Sequence, residues 1–263
     1  MDDYGDMTLL EGIEKFFNPI KQKCFSKEEY ATELLKARGF LLEDKGLVLS
    51  DNSHKWDAEY LNRLLTSENI GEVQGDKIII FQNANVEKIF YSGIQYGSES
   101  FLAYAVPFLR YDYAPKVFVG LLEKFIARYV KAISACGIQT HGSCDGNHHR
   151  PPYRGICIEI SSGMGEIWHK ILCERLLYKR FKFRWVEGNG RIIIKIHKMN
   201  KWFMYSEINR AAEFLYNHRI EIRKIKHDAC EEINNIQVID RTTDIMEFFS
   251  ESANKLFDKI LIE

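Results

Sequence analysis

Apolar side chains recur along this chain with two periods, and each switch between them marks a change of element. At steps of three and four, Phe118, Leu121, Leu122, Phe125, Tyr129, Ile133 and Cys136 trace one face of a helix that Gly137 stops. After it, Gly155-Ile-Cys-Ile-Glu-Ile160 reads as a buried strand, and a helix is expected from Glu166 to about Tyr178. Phe181–Val186 and Arg191–Ile196 flank Gly188-Asn-Gly190, the signal of an antiparallel hairpin. A long helix is expected from Ser206, lined by Ile208, Ala212, Leu215, Ile222, Ile225 and Ala229. Ile245, Phe248, Phe249, Leu256 and Ile260 predict one more. Residues 117–232 thus read helix, short strand, loop, strand, helix, strand, strand, helix: an α+β layer with helices on a largely antiparallel sheet.

The front of the chain repeats a smaller unit. Thr8–Phe17 predicts a short helix ended by Asn18-Pro19, and Ser26 caps a second that runs to Ala37-Arg38-Gly39. Phe40–Leu42 and Leu47–Leu49 then bracket Glu43-Asp-Lys-Gly46 as a hairpin. The order recurs with a helix over Asp57–Leu65 and a hairpin made of Glu72-Val73 and Ile78–Phe81. Two helix-plus-hairpin pieces of this kind resemble winged helices. Ile89, Tyr91, Ile94, Tyr96, Phe101, Tyr104, Phe108, Tyr111 and Tyr113 make the next stretch aromatic, with Pro107 and Pro115 interrupting it. The expected layout is a helix–hairpin domain over 1–81, an aromatic connecting or interaction segment over 82–116, and an α+β core with C-terminal helices over 117–263.

Composition narrows the class. The chain is 46% hydrophobic and 28% charged, as a globular protein should be. No apolar run approaches the roughly 18 residues that mark a membrane span. Its acidic first residues lack the features of a secretory signal, so a cytoplasmic protein without a membrane partner is expected. The six Cys stand apart with no CxxC pair, which predicts reduced and mostly buried thiols. The net charge of −1 hides blocks of opposite sign: −7 over 1–76, +10 over 170–227 and −6 over 228–263. The basic block is open to two readings, ordinary solvent-facing charge or contact with phosphate. Its candidates are Lys179, Arg180, Lys182, Arg184, Arg223 and Lys224; Lys182 and Arg184 fall on the strand face opposite Phe181 and Phe183.

Chemistry concentrates in the stretch from Gly137 to Pro152, which holds His141, Ser143, Cys144, Asp145, His148, His149 and Arg150. His141, Cys144 and His148 or His149 have the spacing of zinc ligands, without a second cluster to complete the set. Cys144 beside Asp145 and a nearby His could instead act as a nucleophile with its base. Backbone N–H groups of the Gly-rich turn, helped by Arg150, could bind an anion. A loop whose polar groups satisfy their own backbone is the fourth reading. Ser161-Ser-Gly-Met-Gly165, at a strand–helix junction, is a weaker phosphate candidate.

The order of elements in 117–232 resembles a single LAGLIDADG homing-endonuclease unit. That family carries its metal-binding acid beside a Gly at the end of the first helix; here the helix ends Ala135-Cys136-Gly137, and Asp145-Gly146 comes eight residues later. The segment Gly137-Ile-Gln-Thr-His-Gly-Ser-Cys-Asp-Gly146 looks like a Gly-hydrophobic-x-Thr-x-x-Ser-Cys-x-Gly segment of small phage and mobile-element proteins. With its acidic helical front and aromatic middle, the chain is similar to the phage Gabija anti-defence proteins. That resemblance implies a non-enzymatic, homo-oligomeric inhibitor that binds a host defence nuclease complex and blocks its access to DNA. The alternative it leaves open is a DNA-binding or LAGLIDADG-like protein that works through 170–227. No resident cofactor is expected beyond the zinc reading above.

Overall fold

The computed structural model describes residues 16–43, 46–92, 116–145, 156–160, 163–177, 183–186, 191–194, 201–235 and 242–260. The chain divides into two compact units. One comprises Met1–Gly97, Lys116–Lys131 and His197–Arg210; the other comprises Ser98–Pro115, Ala132–Ile196 and Ala211–Glu263.

In the first unit residues 16–21 are helical, so the helix does not stop at Asn18-Pro19 as expected. Proline forfeits only its own N–H bond, and the Gln22 N–H still reaches Asn18 O at 3.0 Å. Helix α1 (Lys27–Ala37) opens with a capping box in which the Ser26 hydroxyl accepts the Glu29 N–H at 3.1 Å. The Glu29 carboxylate in turn accepts the N–H groups of Ser26 and Phe25. Helix α2 (Asp57–Ser67) leads into an antiparallel hairpin of β1 (Gly71–Gln74) and β2 (Lys77–Ile80), in register from Gly71↔Ile80 to Gln74↔Lys77. The earlier hairpin is reduced to one bridge, Leu42↔Leu49, while Val48 bridges Lys77 of β2. A single turn, α3 (Lys88–Tyr91), follows.

The core of this unit combines Leu34, Leu35, Leu61, Leu65 and Ile70 with the rings of Phe16, Phe17, Phe90 and Phe125. Arg38 is buried within it. Its guanidinium donates to the carbonyls of Ile89, Phe90 and Ser92 at 2.8, 3.0 and 2.5 Å and to the Tyr60 hydroxyl at 2.9 Å. It therefore satisfies the carbonyls that α3 leaves open at its C-terminus, where a cation is favoured. Burial draws its pKa below the ordinary value.

The helix expected from Val117 begins later than its apolar spacing suggests. A 3₁₀ turn at Val119–Leu121 comes first, and α4 (Lys124–Ala135) starts only where the Glu123 carbonyl accepts the Ala127 N–H at 2.9 Å. The second unit is built on a four-stranded antiparallel sheet of β3 (Thr140–Cys144), β4 (Ile156–Ile160), β5 (Phe183–Val186) and β6 (Arg191–Ile194). Its strand order is β3-β4-β6-β5, which leaves β3 on an edge among the described strands. The two strands predicted around Gly188-Asn-Gly190 pair as expected, Val186 opposite Arg191. Helix α5 (Gly163–Leu172) continues as a π turn over Cys173–Leu177. The α+β class read from the sequence is the class observed.

The predicted long helix is two: α6 (Lys201–Asn217) and α7 (Arg219–Asn234), broken at His218. Side chains meet two carbonyls at the break. The Cys136 thiol lies 3.6 Å from Leu215 O, and the Arg219 guanidinium donates to Tyr216 O at 2.8 Å. Helix α8 (Thr242–Ile260) packs on α5 and α7. At the centre Trp168 is fully buried between Phe249 and Phe257, each ring centroid 5.8 Å away, and its indole N–H donates to Cys136 O at 3.0 Å. No described helix is long and apolar enough to cross a membrane.

Candidate functional site

The short strand expected after the first core helix is β3, and it takes in His141, Ser143 and Cys144, which the sequence reading placed in a reactive loop. Thr140 pairs with Ile160; the register then slips and resumes with Gly142↔Glu159, Ser143↔Ile158 and Cys144↔Cys157. His141 is the extra residue of this β-bulge. On β4 the side chains of Ile156, Ile158 and Ile160 are buried, while Cys157 and Glu159 between them are half-buried. The strand therefore turns three isoleucines inward and a thiol and a carboxylate to the opposite face. Directly opposed residues of antiparallel strands share a face. Cys144 thus stands with Cys157, and Gly142 with Glu159.

Gly142 has a specific part in this arrangement. A Cβ there would stand 3.0 Å from a carboxylate oxygen of Glu159. With hydrogen in its place, the carboxylate lies across the strand, 3.4 Å from His141 Nε2. The contact is an ion pair while the imidazole is protonated. Asp145, the residue after β3, is buried.

The other sequence candidates divide. His148, His149 and Arg150 lie outside the described residues, as do Lys179, Arg180 and Lys182. His141 and Cys144 are three positions apart on an extended strand, roughly 10 Å between Cα atoms, and His141 is turned to Glu159. Arg184 sits on β5 with Ile193 as its register partner. Arg223 and Lys224 lie on α7, half-buried and exposed, with Glu221 and Asp228 as neighbours on the same helix. Several other cations of the basic block are engaged internally. Lys226 is buried and donates to Gly137 O at 3.0 Å. Arg175 reaches Asn254 at 2.8 Å and Asp258 at 2.7 Å, and Arg219 lies 4.1 Å over the Tyr216 ring. Of the weaker phosphate candidate, Gly163–Gly165 form the first turn of α5.

Cys157 and Glu159 were missed. The signal was present in the alternation of Gly155-Ile-Cys-Ile-Glu-Ile160, which puts both on the face away from the isoleucines. Cys144, Cys157 and Cys24 are half-buried, whereas Cys136, Cys173 and Cys230 are buried.

The first unit carries a different surface. Phe25, just before the Ser26 cap, is 96% exposed, and Ile79 and Phe81 project from the outer side of β2 and its continuation. Beside them runs an open groove of about 550 Å³, lined by Cys24, Phe25, Tyr30, Ala84, Val86 and Glu87 among others. Its two walls are tied together by Lys27, whose ammonium donates to Phe81 O at 2.8 Å and Gln82 O at 2.7 Å. The Tyr30 hydroxyl lies 3.4 Å from Glu87, and burial, then that carboxylate, raises its pKa well above the ordinary value.

No protein-family model matches the sequence, and none of the curated proteins or solved structures compared with it matches.

Proposed function

We propose that the chain is a binding protein that acts by occupying a partner's surface, with the first unit as its docking face. The observation that carries this reading is Phe25, a large apolar ring almost wholly in solvent at the lip of a groove. Exposed aromatics with polar surroundings are the usual anchors of protein interfaces. The segment that bears it is acidic, −7 over residues 1–76, so the complementary partner surface is basic. A basic groove that normally holds DNA meets that description, which agrees with the role that the Gabija anti-defence resemblance implies: capture of a host nuclease complex and exclusion of its DNA. The test mixes purified chain with purified Gabija nuclease complex and follows co-elution and DNA cleavage. Co-elution with loss of cleavage, both abolished by Phe25→Asp, is the expected result. Separate elution with cleavage intact removes the reading.

A second reading is supported by the order α4-β3-β4-α5-β5-β6-α6, the layout of a LAGLIDADG unit with an antiparallel sheet and basic residues late in the chain. It makes the protein a nucleic-acid binder. Its signature is DNA affinity that falls steeply with salt, about one power of concentration per phosphate contacted. The internal engagement of Arg175, Arg219 and Lys226 counts against it.

A further inference from the structure

We infer that Cys144 and Cys157 are a cross-strand dithiol, a site at which the protein is reversibly oxidised to a disulfide bridging β3 and β4. The two cysteines are direct register partners on adjacent antiparallel strands. Both are half-buried on the face opposite the buried isoleucines of β4, and neither is in a disulfide in the structure. Opposed Cβ atoms on such a rung stand about 4.5–5.5 Å apart. A disulfide wants roughly 3.5–4.5 Å. Closing the bond therefore asks for an approach of about 1 Å, without any rearrangement of the sheet. A bond formed under that strain is more easily reduced than a relaxed one, which makes the pair a reversible couple rather than a structural staple.

The position of the strands assigns the two roles. Among the described strands β3 lies at an edge of the sheet and β4 is interior, and on that ground Cys144 is assigned the first encounter with a solution oxidant. With hydrogen peroxide as the oxidant, the Cys144 thiolate attacks one peroxide oxygen, the O–O bond breaks, and the hydroxide released is protonated to water. Cys144 is then a sulfenic acid. The Cys157 thiolate attacks the Cys144 sulfur, the S–O bond breaks, and a second water leaves as the S–S bond forms. Two thiols and one peroxide give one disulfide and two waters. A dithiol reductant reverses the result by thiol–disulfide exchange.

The test uses the full chain, treated with hydrogen peroxide while folded and then unfolded in urea with iodoacetamide, so that every remaining thiol is reached, and maps its cysteines by mass spectrometry. The expected product is a Cys144–Cys157 linked peptide that dithiothreitol releases, with the four remaining cysteines still alkylated. In Cys157→Ser, dimedone should trap the sulfenic acid at Cys144; in Cys144→Ser, the linked peptide should vanish and Cys157 should stay a thiol. A second reading avoids variants altogether: phenylarsine oxide, which bridges two thiols, should protect both residues from alkylation at equimolar ratio. Links to other cysteines, oxidation of Cys144 to sulfinic acid with Cys157 untouched, or no protection by the arsenical would overturn the inference.

Discussion

Lys131 Nζ stands 2.6 Å from Asp57 Oδ2, with both side chains buried in the first unit. Asp57 opens α2, and its carboxylate is used on every side. Oδ1 accepts the Val119 N–H at 2.9 Å, and Oδ2 accepts the His54 N–H at 3.0 Å as well as the lysine. Lys131 also donates to Val117 O. Burial holds the pKa of Lys131 below its ordinary value, and the carboxylate beside it offsets that only in part. One partner cannot be removed without stranding the other.

The two halves of the pair should differ in cost. Asp57→Ala leaves a buried ammonium and two backbone N–H groups without their acceptor, so a loss of about 3–5 kcal/mol is expected. Lys131→Met leaves a carboxylate that still accepts two backbone N–H groups and fills most of the vacated volume, so its loss should be smaller. Urea denaturation of both variants and the double mutant measures this. Equal losses, or an additive double mutant, would show that the two groups do not act as a unit.

Gly39 holds φ +96° at the end of α1, and a Cβ there would meet Ala127 Cβ at 2.8 Å and Ala127 backbone carbon at 3.0 Å. Gly39→Ala combines left-handed strain with a clash and should cost about 2–4 kcal/mol. Ala127→Gly in the same chain removes one of the colliding atoms and should restore part of that. A Gly39→Ala variant that melts with the parent would mean the turn has room that its geometry denies.

Phe25 contributes almost nothing to the core, since its ring is 96% exposed. Phe25→Asp should leave the melting temperature of the isolated protein within experimental scatter, because surface changes away from special features stay within about 0.5 kcal/mol. The same variant should lose partner binding if the docking reading holds. A large drop in stability would instead make Phe25 a structural residue and remove it as an anchor.

Local rules made much of the fold legible. Ser26 with Glu29 announced the start of α1, Gly39 its end, and Gly188-Asn-Gly190 the last hairpin. What they could not reach was pairing between distant strands. The segment Thr140–Cys144 is short and contains Gly and Ser, so no local pattern fixes which residues the expected short strand takes or brings its His and Cys out of the loop; pairing with β4 does that. The bulge at His141, the contact with Glu159 and the Cys144–Cys157 rung all follow from that register, which no local period encodes. The break at His218 escaped for a similar reason. The apolar steps run straight through it, and the groups that satisfy its carbonyls include Cys136, 79 residues away.

His169 supplies a prediction in pH. Its ring is fully buried on α5, with Nε2 3.7 Å from the Cys173 thiol, and burial lowers its pKa to about 3. In the unfolded chain the same imidazole titrates near its ordinary value of about 6.5. Between those values the unfolded state binds a proton that the folded state refuses. Stability from the neutral ring is therefore fully present above pH 6.5 and is lost as pH falls toward 3, by up to about 1.4 kcal/mol per unit. Burial raises the pKa of Glu166, one turn earlier, which acts in the opposite sense. The comparison is therefore made between the parent and His169→Gln, where the carboxylates cancel. Whatever the substitution costs at pH 7, the gap between the two proteins should shift steadily in favour of the variant from pH 6.5 down to 4. A gap that stays constant over that range would place the imidazole in contact with solvent or with an acid that keeps it charged.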